Sequence, residues 1–275
     1  MDRNEIAART SSLLSALRAD RPLVQTITNF VSMDAAANVL LALGAAPAMV
    51  HSPEESGEFM RHAGALVVNI GTLSKLWVEG GEAAAAAARM LGKPWVLDPV
   101  GVGATKFRNE AVARFLRHRP TVIRGNASEI MAAARVAGLT GDTATPRGVD
   151  SANSTDEALA SARWLARNSF CTVAATGAVD VVTDGARVVR LANGHELMTR
   201  VTALGCALTA VVAAFAAVES DSFVATVAAL ATYGVVGEMA ADAASRPGSY
   251  RVAFIDALDA VTGDDIGKRL KVISP

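Results

Sequence analysis

The run Met198-Thr-Arg-Val-Thr-Ala-Leu-Gly-Cys-Ala-Leu-Thr-Ala-Val-Val-Ala-Ala-Phe215 decides how this chain is read. A short turn, Ala203-Leu204-Gly205-Cys206, opens into an alanine-rich apolar stretch without Pro or Gly through Val218. That composition predicts a buried helix. A helix start carries unpaired N–H groups and the positive end of the macrodipole, which together attract an anion. Gly205 lets the backbone approach whatever sits there. Cys206 lies beside the turn, where a thiol pKa is expected to fall. Two readings stand on this stretch alone. One is a site where negative charge develops and a hydroxyl is activated. The other is a core helix in which Cys206 is a small buried apolar residue.

Outward from it, short apolar runs alternate with helical patterns. Strands are predicted over 22–27, 48–50, 65–70, 95–98, 121–124 and 171–176. Helices are predicted over 4–18, 34–43, 80–91, 109–117, 127–136 and 155–168, with a further one starting at His51. Gly44 is the expected C-cap of the second helix. Asp184-Gly185 between 180–183 and 187–191 is a hairpin signal. Residues 138–155, rich in Gly, Thr, Asp and Ser, read as a surface loop. Two last helices are expected over 221–244 and 250–261. This alternation predicts an α/β fold: a mostly parallel central sheet, helices on both faces, and the hairpin extending one edge. No linker or internal repeat divides the 275 residues.

Composition narrows the function classes. Hydrophobic residues are 51% and charged residues 19%, which allows a large core and argues against disorder. The net charge is −1 and no stretch is strongly basic, so a nucleic-acid partner is not expected. Two cysteines, Cys171 and Cys206, offer neither a disulfide framework nor metal-ligand spacing. The start, Met-Asp-Arg-Asn-Glu, lacks the apolar core of a signal peptide. Mean hydropathy is high, +0.31. Even so, the longest apolar runs, 203–218 and 223–241, are interrupted short of the roughly 20 residues that span a bilayer. Buried core or subunit-interface helices are expected instead, in a cytoplasmic protein with no membrane partner.

Polar or glycine-rich patches follow the predicted strands: Thr28-Asn29, Asn69-Ile-Gly-Thr72, Asp98-Pro-Val-Gly-Val-Gly103, Arg124-Gly-Asn-Ala-Ser-Glu129 and Thr176-Gly177. Ligands of doubly wound sheets sit at the carboxyl ends of strands. Singly, each patch has a plain reading: Asp98 as a turn residue, Asn126 as a helix cap, Glu129 as a first-turn partner of the helix dipole. Five at one edge ask for a ligand.

Together these segments carry a resemblance. With Leu40-Leu-Ala-Leu-Gly-Ala-Ala-Pro-Ala-Met49, Gly148-Val-Asp-Ser151, Val179-Asp-Val-Val-Thr-Asp-Gly185, Gly205-Cys-Ala-Leu-Thr209 and Pro247-Gly-Ser-Tyr-Arg251, the chain resembles the hydroxyethylthiazole kinases, thiamin-salvage enzymes of ribokinase-like fold. The match runs nearly the whole chain in family order. It implies one kinase domain over 1–275 and phosphoryl transfer from ATP to the primary hydroxyl of 4-methyl-5-(2-hydroxyethyl)thiazole, with Mg²⁺. It implies Cys206 beside the substrate hydroxyl, Ala203 and Gly205 in the anion hole, and Asp98 and Glu129 toward the metal. Arg124, Asn126, Thr176 and Gly177 would serve ATP. Met49, Thr28, Asn29 and Ala203 would serve the thiazole, in a pocket formed between subunits of a homotrimer. Cys206 itself separates this family from most superfamily relatives, which carry Asp there. One departure stands out: the family pattern is Gly-x-Gly-Cys, and this chain has Ala203 first. If that position needs φ > 0, alanine costs on the order of 1 kcal/mol.

Overall fold

The computed structural model describes residues 1–140 and 155–273. Helix α1 (Arg3–Asp20) is capped by the Asp2 carboxylate, which accepts the Glu5 N–H. Then follow β1 (Leu23–Ile27), α2 (Met33–Leu43), β2 (Ala46–Ala48), the single turn α3 (Ser56–Phe59) and β3 (Ala65–Asn69). Next come α4 (Lys75–Met90), β4 (Trp95–Asp98), α5 (Lys106–Leu116), β5 (Val122–Asn126), α6 (Ala127–Val136), α7 (Thr155–Ser169) and β6 (Thr172–Thr176). The hairpin strands β7 (Asp180–Thr183) and β8 (Val188–Leu191) lead through a 3₁₀ turn, Glu196–Arg200, to α8 (Leu204–Val218). The chain closes with α9 (Ser222–Ala243), α10 (Pro247–Ala260), α11 (Gly263–Arg269) and β9 (Val272–Ile273).

The strands form one sheet in the order β2-β1-β3-β4-β5-β6-β7-β8-β9. β2 through β6 pair in parallel, and β7, β8 and β9 add antiparallel. Alternate strand residues feed opposite cores, as the two-residue period requires. Val24, Val67, Val96 and Val122 pack with α1, α2, α8, α9 and α10 on one face. Leu66, Val68, Leu97 and Ile123 pack with α4, α5, α6 and α7 on the other.

Several elements differ from their sequence patterns. β2 lies at 46–48 instead of 48–50, because Ala46 to Ala48 are the residues that pair with Leu23 to Gln25. His51 opens no helix; the turn there gives way to α3 five residues later. α4 begins at Lys75, five residues ahead of expectation, since the Ser74 hydroxyl caps it by accepting the Trp77 N–H. Pro247 starts α10 instead of interrupting the chain before it, since it sits in the first turn, where the N–H has no intrahelical partner to lose. α11 and β9 lie beyond the last predicted element. The predicted loop at 138–155 and the Gly148 to Ser151 segment fall largely outside the described residues.

Among the described residues one helix, Ser222–Ala243, is long and apolar enough to cross a membrane, contrary to the run-length expectation. Its Gly and Thr residues do not break the helix, and 89% of its apolar window is buried inside the fold. It packs against α1, α8 and α10.

The topology also creates a crevice. From β1 the chain goes outward to β2, then back across β1 to β3, so strand order reverses between β1 and β3. Connections leave the sheet in opposite directions there, opening a gap at the carboxyl ends. α8 packs on β1, β3 and β4 and brings its first turn to that gap.

Candidate active site

Asn29 follows β1, Asn69 ends β3 and Asp98 ends β4, the last two directly paired in the sheet. Their side chains form one buried chain of hydrogen bonds. Asn69 Nδ2 donates to Asp98 Oδ2 at 2.7 Å, and the Thr209 hydroxyl of α8 donates to the same oxygen at 2.7 Å. Asn29 Nδ2 donates to Asn69 Oδ1 at 2.9 Å and reaches Cys206 Sγ at 3.3 Å. Asn29 Oδ1 accepts the N–H groups of Val31 and Ser32. Gly71 is required here: a Cβ at that position would stand 2.6 Å from Asn29 Nδ2. Arg108 of α5 ties down the flanking loops by donating to the carbonyls of Ile70, Gly71 and Val100.

Asp98 is fully buried, and its Oδ1 has no hydrogen-bond partner. Burial pushes its carboxyl up to about 7, against the downward pull of Arg124. The Arg124 guanidinium lies 4.0 Å from Asp98 Oδ2. It donates through Nη1 to the Gly205 carbonyl at 2.8 Å and through Nη2 to the Thr176 hydroxyl at 2.5 Å, leaving Nε buried and unpaired. A buried cation with a free donor, next to a buried carboxyl with an unpaired oxygen, is costly in an empty site and useful in a filled one.

The first turn of α8 completes the arrangement. Ala203 has φ 70° and ψ −7°, the left-handed region, and α8 has no side-chain cap. The position therefore does need φ > 0, and alanine occupies it at a cost. The N–H groups beyond it are left to a ligand. Cys206 corrects an expectation: its thiol is pushed up, not down. Burial is the main cause and Asp98 adds to it, and together they outweigh Asn29, Asn69 and Arg124.

Beside this turn opens a cavity of about 600 Å³. Arg124, Thr176, Gly177, Leu204, Gly205, Asn193, His195 and Tyr233 are among the residues that line it. Asp180 lines it too and accepts the Gly177 N–H at 3.0 Å.

The other predicted residues fall around these two regions. Asn126 and Glu129 close a capping box at the start of α6: Asn126 Oδ1 accepts the Glu129 N–H and Glu129 Oε2 accepts the Asn126 N–H. Glu129 Oε1 accepts the Gly101 N–H as well. Thr28 is buried, its hydroxyl 2.7 Å from that of Ser32. Met49 is half-buried against the α8-side core and lies outside the cavity lining. Of the further residues here, Asn69 belongs to a strand-end patch marked by the sequence but has no role assigned there, and Thr209, Asp180, Tyr233 and Arg108 are additions of the structure. Asn69 ends a strand like its neighbours and is findable on that ground. Tyr233 sits inside an apolar helix, where nothing local marks it.

The model of the Hydroxyethylthiazole kinase family matches residues 14–264. A hydroxyethylthiazole kinase of Cereibacter sphaeroides is 55% identical over 264 residues, covering 96% of this chain and 98% of the relative. The solved hydroxyethylthiazole kinase protein of Pyrococcus horikoshii superposes with a TM-score of 0.88 at 42% identity, over 96% of this chain and 98% of that one. A ribokinase-like superfamily protein of Enterococcus faecalis, 13% identical, shares the fold at a TM-score of 0.59, over 90% of this chain and 89% of that one. The fold is thus the ribokinase-like α/β fold, and the chain belongs to the hydroxyethylthiazole kinase family.

Proposed function

We propose that the protein phosphorylates the primary hydroxyl of 4-methyl-5-(2-hydroxyethyl)thiazole with ATP, a step of thiamin biosynthesis and salvage. One observation carries the reading: the uncapped start of α8 stands between the cavity and the Cys206–Asn29–Asn69–Asp98 network. Phosphoryl transfer depends on positioning and on stabilising charge. Backbone N–H groups from Ala203 to Cys206 hold the group in transfer. Arg124 gives ATP phosphates a fixed guanidinium with a free donor, Thr176 and Gly177 line the same cavity, and we assign Asn126, outside that lining, to ATP with them. The thiol of Cys206, held by Asn29 and shifted upward, orients the accepting hydroxyl as a neutral group.

The residues suit Mg²⁺. Asp98 Oδ1 is a buried, unpaired, hard oxygen. Glu129 accepts one backbone N–H on each oxygen and keeps lone pairs for a metal-bound water. Among the described residues no cluster of His, Cys, Asp and Glu would cage a metal by itself. That suits a cation that keeps waters and takes ligands from phosphates. When bound, it supplies charge neutralisation on the phosphates.

Met49, Thr28, Asn29 and Ala203 belong to the thiazole side. Next to Asn29, Phe30 and Val31 are 69% and 59% exposed, and Leu76 is 62% exposed. Phe30 leans on Trp77 at 5.1 Å between ring centroids, and His51 stacks on the same indole. Such an apolar patch marks an interface, and we place the homotrimer contact there. We read residues 1–275 as one kinase domain acting in the cytoplasm, with no nucleic-acid or membrane partner.

A coupled ADP-release assay with Mg-ATP and the thiazole alcohol tests the reading, run beside hydroxymethylpyrimidine and a blank without acceptor. Thiazole-dependent ADP release, with the phosphorylated thiazole seen by mass spectrometry, is the expected result. Binding without product would make the protein a non-catalytic binder. Turnover of hydroxymethylpyrimidine alone would move it to the neighbouring kinase class.

A further inference from the structure

The first turn of α8 is both strained and held. Ala203 adopts φ 70°, where a Cβ crowds the neighbouring carbonyl, and no side chain caps the helix behind it. Yet three successive carbonyls are fixed. The Ala203 carbonyl accepts the Ala207 N–H at 2.8 Å, that of Leu204 accepts the Tyr233 hydroxyl at 2.7 Å, and that of Gly205 accepts Arg124 Nη1 at 2.8 Å. Peptide planes are rigid, so fixing a carbonyl also aims the N–H on the other side of the same plane. The Leu204 carbonyl belongs to the peptide whose N–H is that of Gly205, and the Gly205 carbonyl to the peptide carrying the Cys206 N–H.

Tyr233 is well suited to such a task. It is 2% exposed and braced edge-on by Phe254, with ring centroids 4.8 Å apart. It comes from α9, a helix buried along most of its length. Its hydroxyl is the contact that α9 makes with the carbonyl next to the strained residue.

We propose that Tyr233 is a positioning residue that holds the left-handed turn at Ala203 open for the phosphoryl group, a task glycine at 203 would lighten. The proposal rests on the phosphoryl-transfer reading above. It concerns this chain's own pairing of an alanine at the turn with a phenol behind it. Removing the hydroxyl lets the turn relax out of the left-handed region, which misaims the N–H groups but releases strain. With glycine at 203 there is no strain to release, and the turn keeps its shape without the phenol.

The test is a four-chain comparison of wild type, Tyr233→Phe, Ala203→Gly and the double variant, measuring kcat, KM for each substrate and Tm. Tyr233→Phe is expected to lower kcat about tenfold in the wild-type background, with KM for the thiazole changing far less. In the A203G background the same substitution should cost no more than about twofold in kcat. Stability should respond in the opposite sense: Tyr233→Phe lowers Tm less in the wild-type background, where relaxation offsets the lost bond, than in the A203G background. Ala203→Gly alone should raise Tm by about 2 °C. Equal kcat losses in both backgrounds, or none in either, overturn the proposal, as does a Tm loss that is larger in the wild-type background. If no chain, wild type included, turns over, the function reading fails and the Tm comparison alone decides whether Tyr233 and Ala203 are coupled. Should Tyr233→Phe not fold, an Ala203→Gly chain with no gain in Tm would overturn the strain on which the proposal depends.

Discussion

Helices α6 and α8 both start at the carboxyl edge of the sheet, and they start in opposite ways. α6 begins behind a closed capping box, Asn126 and Glu129 each satisfying the other's backbone. α8 begins at a left-handed alanine with no side-chain cap. A capping side chain is worth roughly 1 kcal/mol, and left-handed alanine costs a similar amount. Relative to α6, the start of α8 thus gives up about 2 kcal/mol by these magnitudes. The same contrast appears in the charged groups. Both oxygens of Glu129 are used, whereas Asp98 Oδ1 and Arg124 Nε are buried without partners. One helix start is finished by the chain itself, and the other is left to be finished by a ligand.

Breaking the unfinished side should cost most. Asp98→Asn keeps the volume and an acceptor for Thr209 but removes the anionic oxygen. A fall in kcat of about 100-fold is expected, with much less change in nucleotide affinity by titration. A kcat within about twofold of wild type would take Asp98 out of the machinery.

Cys206→Ser comes next. A neutral positioning group is replaced by a shorter one that can still meet Asn29, so kcat should fall about tenfold while the fold and KM for ATP hold. Unaltered kcat would remove Cys206 from any role in turnover.

Glu129→Gln probes the finished side. The amide can still accept one backbone N–H, so the expected loss of Tm is only about 2 °C. The Mg²⁺ concentration for half-maximal rate should rise about threefold if the carboxylate reaches the metal through water. A superimposable Mg²⁺ titration would leave Glu129 as a cap and nothing more.

The smallest effect is expected at Asp180, whose carboxyl burial pushes up to about 6. A carboxyl raised in the fold binds more protons there than in the unfolded chain, so its ionisation weakens the fold. That cost is absent below the ordinary 3.8 and complete above about 6. Asp180→Asn should therefore raise Tm at about pH 7 and leave it unmoved at about pH 3, as followed by thermal melts of the unliganded protein. A Tm difference independent of pH would mean that Asp180 is ionised at its ordinary pKa in the fold.

Much of this was legible in the chain. Near-continuous apolar runs such as Ala65-Leu-Val-Val-Asn69 announce strands buried on both faces, and their alternation with amphipathic segments announces a parallel sheet. Polar residues placed directly after those runs had to gather at one edge, so Asn29, Asp98, Arg124 and Thr176 could be named before any contact was seen. The fold class, the family segments and the helix start at Ala203 to Cys206 were all set by residue order and local chemistry. What only the tertiary structure decided depends on distance between residues far apart in sequence. The sign of the Cys206 shift came from burial and from Asp98, more than a hundred residues away, which overruled the helix dipole. The split between Glu129, satisfied by Gly101 and Asn126, and Asp98, left with a free oxygen, came from packing around each carboxylate. That the phenol of Tyr233 stands behind the turn at Ala203 came from α9 packing on α8, since sequence records which residues are present but not which of them the folded chain presses together.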